Sequence, residues 1–188
     1  YGNERMMYFT PEEVSAVQYL YDTAEPGSQL VAATGTLPWR FQDYRTYKYT
    51  TIPRVARAND IDALVGTMAD RRYPASFLIL TRSQKASGEL FIGWQPGVWE
   101  EFEQTIRDSG RFTSVYANED AEVFVLTSLC ERAGIGQRIC GESAINMAEL
   151  PQINTDQLPK MNTAEPPQGN DPQLPQQKTV RLPVIFRP

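Results

Sequence analysis

Histidine is absent from the 188 residues. Its absence removes Ser–His and Cys–His nucleophile pairs and most transition-metal sites in one step. Cysteine is scarce: Cys130 and Cys140 are the whole complement, too few for a zinc cluster. They are either two ordinary thiols or one disulfide, which would need an oxidising compartment. No apolar run approaches the roughly 20 residues that span a bilayer. No secretory h-region opens the chain, which starts on YGNERMMYFT without an initiator Met and so reads as a piece of something longer. Lysine and arginine form no long block and the net charge is −5. Binding to a phosphate backbone wants a concentrated basic surface, so no nucleic acid is expected as a partner. Thr34-Gly35-Thr36 is not a phosphate loop, because it lacks both the Gly-x-x-x-x-Gly-Lys spacing and a helix directly after it. Neither a cofactor nor a metal is expected.

What is present is a globular composition, 41% hydrophobic and 22% charged, long enough for one domain with a real core and an appendage. Thr10-Pro11-Glu12-Glu13 predicts a helix start, with Thr10 as cap, Pro11 at the first helical position and Glu13 placed for a capping box. Val14, Val17, Tyr21 and Ala24 recur at helical spacing and predict its inward face. Leu30–Ala33 reads as a short strand covered on both faces. Asn59 and Asp62 frame a second helix with Ile61, Leu64, Val65 and Met68 as its stripe, closed by Pro74. Ser76–Leu80 is the second buried strand. Pro96 opens a third helix with Trp99, Phe102 and Ile106 on one side, ending at Gly110. Phe112–Tyr116 and Ala121–Thr127 flank Ala-Asn-Glu-Asp as a hairpin.

This order predicts a small layered α/β sandwich, its sheet partly parallel with an antiparallel C-terminal hairpin, over residues 1–128. Residues 129–188 differ. Eight of the fourteen prolines fall in 151–188, among Gln, Asn and Thr, so that segment cannot bury enough apolar surface to offset its ordering entropy. A Pro/Gln-rich, largely irregular tail is expected there, with the more apolar Val180–Phe186 able to dock on the domain or a partner.

Ligands of open α/β sheets bind outside the carboxyl ends of the strands. Two loops leave such ends: Thr34–Arg40 after the first strand and Thr81–Lys85 after the second. If those strands are parallel neighbours, Trp39, Arg40, Arg82 and Gln84, with Tyr44 beyond, can converge. Aromatic faces with Arg and Gln donors suit a sugar or a sugar phosphate. The competing reading packs Trp39 on the sheet edge and leaves the arginines in water. The alternation of Tyr44, Thr46, Lys48 and Thr50 against Arg45, Tyr47 and Tyr49 suggests a further strand, which would make most of these aromatics sheet residues. The acidic pairs Glu12-Glu13, Glu100-Glu101 and Glu119-Asp120 read as solvated surface rather than a catalytic couple, so no catalytic residue is expected.

The succession YGNERMMYFTPEEVSAVQYLYDTAEPGSQLVAATGTLPWRF, FLILTRSQ and GVWEEFEQTIRDSGRFTSVYANEDAEVFVLTS resembles the extracytoplasmic C-terminal domain of large actinobacterial integral-membrane proteins. These are similar to C-type glycosyltransferases that use polyprenyl-phosphate sugars. The resemblance covers about residues 1–128 and has no counterpart for the tail. It implies a location on the extracytoplasmic face of the cell membrane, the membrane-embedded portion of the same protein as partner, and a part in either holding a cell-wall acceptor glycan or stabilising that membrane portion as a structural cap. Since the catalytic acid of such enzymes lies between early membrane helices, the resemblance implies an accessory, non-catalytic role here. Two other readings stay open: a free-standing α/β enzyme or sensor using Arg82, Gln84 and Trp39 on a small anion, and a protein–protein module with a docking tail.

Overall fold

A computed structural model describes residues 8–38, 45–132 and 135–141. Helix α1 spans Pro11–Thr23 and strand β1 Gln29–Ala32; strand β2, Lys48–Thr51, leads directly into α2, Pro53–Ala58, and α3, Ile61–Met68. Strand β3, Ser76–Thr81, runs without a loop into α4, Arg82–Ser87, and a π-helical turn at Gly88–Ile92. Helix α5 covers Val98–Asp108, and β4, Phe112–Ala117, and β5, Ala121–Leu126, form the hairpin. Two short helices, α6 at Thr127–Cys130 and α7 at Ile135–Cys140, complete the described chain.

The five strands make one mixed sheet in the order β2-β1-β3-β5-β4. Strand β1 pairs in parallel with both β2 and β3, whereas β5 is antiparallel to β3 and to β4. The partly parallel sheet with an antiparallel hairpin is therefore present as predicted. Alternation along the strands sends two sets of side chains to opposite faces. Leu30, Phe77, Ile79, Val123 and Val125 meet Ala16, Val17 and Leu20 of α1. Val31, Leu78, Leu80 and Phe124 meet Ala56 of α2, Leu64 and Met68 of α3, and Phe102 and Ile106 of α5. Helices on both faces explain why every residue of β1 and β3 is buried.

Several local expectations are corrected. In α1 Val17 and Ala24 are buried and Tyr21 packs against the same core, as expected, but Val14 is 50% exposed, and Glu13, Ala16 and Leu20 complete the inward face. The second helix is capped by Asp60, whose carboxylate accepts from the Ala63 amide at 2.9 Å; Asn59, at φ 52°, instead closes α2. Helix α2, six residues long and without a side-chain cap, adds to the elements that the spacing predicts. The further strand is confined to Lys48–Thr51, with residues 45–47 in a turn. The fold also continues past residue 128, because Leu129 and Ile139 are buried in the α1-side core. Cys130 and Cys140 are joined in a disulfide with Cα atoms 5.6 Å apart, and a Cβ on Gly136 would fall 2.2 Å from the Cys130 carbonyl oxygen. The bond and that close approach hold α7 against α6. The remainder of the expected tail, 142–188, lies outside the described residues.

Candidate functional site

The carboxyl ends of β1 and β3 lie side by side, since the two strands are adjacent and parallel. From β1 the chain passes through Ala33 and Thr34, both buried, to the exposed Gly35. From β3 it turns at once into α4, where the Thr81 hydroxyl caps the helix by accepting from the Gln84 amide. Segment 81–85, expected as a loop, is thus the first turn of a helix, and this decides what its side chains can do.

Gln84 is fully buried. Its carbonyl accepts from the Thr34 amide at 3.2 Å and its Nε2 donates to the Ile79 carbonyl at 3.0 Å. The side chain expected to greet a ligand is a tie between the two strand ends, with its groups engaged by backbone. Arg82 is about half exposed, donates to the Tyr8 carbonyl at 3.3 Å, and lies 3.8 Å from the Asp120 carboxylate. Its own amide donates to the Asp120 carbonyl at 2.9 Å. Arg82 therefore pins the tip of the hairpin and the residues before α1 to this edge, while part of its guanidinium still meets water. Trp39, Arg40 and Tyr44 lie outside the described residues.

The burial of Glu13 corrects the reading of Glu12-Glu13 as a solvated pair. Glu13 is fully buried. One carboxylate oxygen accepts from the Ser83 amide at 2.7 Å; the other accepts from the Ser83 hydroxyl at 2.8 Å and from the Thr10 amide at 3.0 Å. Three donors satisfy the charge, which is the condition for burying it. The capping-box position foretold the Thr10 bond; no local pattern foretells a serine 70 residues away. A serine hydroxyl bonded to a carboxylate is also the geometry of an activated nucleophile. Here Ser83 and Glu13 are both fully buried, so no substrate atom can approach, and the pair is structural.

The other acidic pairs sit at the surface. Glu100 is ion-paired to Lys85; the ammonium lowers the Glu100 carboxyl and is itself raised in return. Glu101 accepts from Asn59 at 3.3 Å. One half-buried carboxyl, Glu103 on α5, is pushed up, first by burial, against the opposing hydrogen bond from Trp99 and the charge of Arg107.

At the opposite end of the sheet, Met68, Asp70, Tyr73, Ser76, Leu129 and Arg132 line a cleft of about 40 Å³. That is room for water, well below the roughly 300 Å³ at which small-molecule sites begin. Among the described residues, no group of three or more Cys, Asp or Glu side chains is arranged to hold a metal, and no helix is long and apolar enough to cross a membrane.

The aromatic run after β1 is partly accounted for. The Tyr47 hydroxyl donates to the Ala24 carbonyl at 3.2 Å, and the Tyr49 and Tyr21 hydroxyls are 3.0 Å apart. Both tyrosines pack toward α1, so they fasten β2 to the layer beneath. No protein-family model matches the chain, and no curated protein or solved structure matches it either.

Proposed function

We propose that this domain is a non-catalytic, water-exposed accessory lobe of a membrane glycosyltransferase that uses lipid-linked sugar donors. It stands on the extracytoplasmic face of the cell membrane, beside the membrane-embedded portion of the same protein, and takes part in binding the acceptor glycan. The observation that carries the reading is the Cys130–Cys140 disulfide, since such bonds persist where the compartment is oxidising. The inward use of Ser83, Glu13 and Gln84 supports the non-catalytic part, because the polar groups at the strand ends serve the fold. The order of motifs over residues 1–128 supports the family. Glycan contact falls to Trp39, Arg40 and Tyr44, which follow β1 in the chain, with the exposed part of Arg82. The alternative of a free-standing sensor built on Arg82, Gln84 and Trp39 loses its central donor, as Gln84 has no accessible surface.

Two measurements test this reading. The gene ahead of Tyr1 should encode hydrophobic stretches of about 20 residues; finding none removes the membrane parent. Titration with cell-wall oligosaccharides, followed by tryptophan fluorescence, should give a saturable change that Trp39→Ala abolishes. A flat wild-type signal, or an unaltered one in the variant, removes the glycan role.

A further inference from the structure

The cations of the described residues are unevenly engaged. Arg72, Arg82, Lys85, Arg107, Arg111 and Arg138 each meet a carboxylate. Arg45, Lys48, Arg54, Arg57, Arg71 and Arg132 are all exposed, and their side chains have neither an ion-pair nor a hydrogen-bond partner among the described residues; the first four fall together in one stretch. No acidic residue lies between 45 and 57, within a chain whose net charge is −5. The cations are spaced by apolar and hydroxyl residues within residues 45–57, so they form no continuous basic block. Strand β2 is the outermost strand on its side of the sheet. Lys48 pairs with Gln29 and Thr50 with Val31, which puts Lys48 on the sheet face that α2 covers, because Val31 and Ala56 share one core. Arg54 and Arg57, three residues apart on α2, lie on one side of that helix, and Arg45 stands just ahead of β2.

We propose that this ribbon, Arg45, Lys48, Arg54 and Arg57 along the β2 edge and α2, docks on an anionic phospholipid surface. The charges are strung along an edge instead of converging on a pocket, the arrangement that meets many dispersed phosphates rather than one small anion. The choice of lipid over other polyanions rests on the membrane-face reading above. The disulfide argues in the same direction, since nucleic acid is not the polyanion of an oxidising compartment.

The test is co-sedimentation of the full chain with vesicles of phosphatidylglycerol mixed with phosphatidylcholine, against phosphatidylcholine alone, in a salt series. The expected result is binding only to the anionic vesicles, fading as salt screens it. In the variant Arg45→Ala/Lys48→Ala/Arg54→Ala/Arg57→Ala, partitioning should fall about tenfold or more, each cation contributing to the surface attraction. All four side chains are exposed, so the variant keeps the wild-type circular dichroism. Absence of wild-type binding at low salt, equal binding by variant and wild type, or binding to soluble polyphosphate without binding to vesicles would each overturn the proposal. Any of these, with hydrophobic segments present upstream, leaves the accessory-lobe reading standing and removes only the docking ribbon.

Discussion

Glu13 on the first helix and Ser83 at the head of α4 are joined twice, amide to carboxylate at 2.7 Å and hydroxyl to carboxylate at 2.8 Å. The two bonds bridge 70 residues and clamp α1 to the carboxyl end of the central parallel strand. Glu13→Ala strands the Ser83 and Thr10 donors without partners and should cost about 3 kcal/mol. Glu13→Gln should cost less, about 1–2 kcal/mol. It keeps one acceptor but turns an amide NH2 toward the Thr10 N–H, while the Ser83 hydroxyl can rotate to accept. Urea unfolding of the three proteins checks the ranking; equal midpoints would show that the clamp contributes nothing.

A second close approach lies at the π-helical turn. A Cβ on Gly88 would fall 2.0 Å from the ring of Trp94, which is buried and stacked on Trp99 with centroids 5.9 Å apart. The backbone of Gly88 is helical, with φ −58°, so the demand is for space and not for an unusual dihedral. Gly88→Ala should lose about 3 kcal/mol by overpacking and shift the tryptophan emission. Adding Trp94→Phe, whose smaller ring clears the methyl group, should return part of the loss. Simple additivity of the two losses would count against the steric account.

The half-buried Glu103 sets a pH dependence. Burial raises its carboxyl above the ordinary value of 4.5, so the folded state holds the proton to a higher pH than the unfolded chain does. Below 4.5 both states are protonated and the site is neutral toward folding. As pH rises through 4.5 toward the raised value, the unfolded chain releases its proton first and stability falls. Glu103→Gln removes that loss: the variant should be more stable than wild type at pH 7 by at most about 0.5 kcal/mol, since solvent screens a carboxyl this exposed, and the gap should close toward pH 4. Thermal melts across that range check it, and a gap independent of pH would refute the assignment.

Local chemistry was legible and long-range chemistry was not. The Thr10–Glu13 capping box, the Trp99, Phe102 and Ile106 stripe and the hairpin are all written within a few residues of one another, and each stands where its spacing puts it. Helix α2 escaped because it is six residues long and its cap, Ile52, makes no side-chain bond, leaving only Pro53 as a signal. Parallel neighbours β1 and β3 were inferable from alternation of helix and strand. That Gln84 faces inward was not, because the direction of a side chain in the first turn after a strand depends on where the helix begins. The burial of Glu13 is the same kind of miss. Its partner is supplied by the fold, and a glutamate beside another glutamate carries no mark of it.

The flanks of the sheet have a bearing on solubility. An outer strand offers unpaired backbone to other chains and can seed their assembly into fibres. Here β2 is four residues long and begins with an exposed lysine. At the far flank, β4 breaks register between Ser114 and Tyr116, and the extra residue bends its ladder away from flatness. Neither border presents a long, even template, so a concentrated solution of this domain is protected from strand-to-strand aggregation by the shape of its own margins.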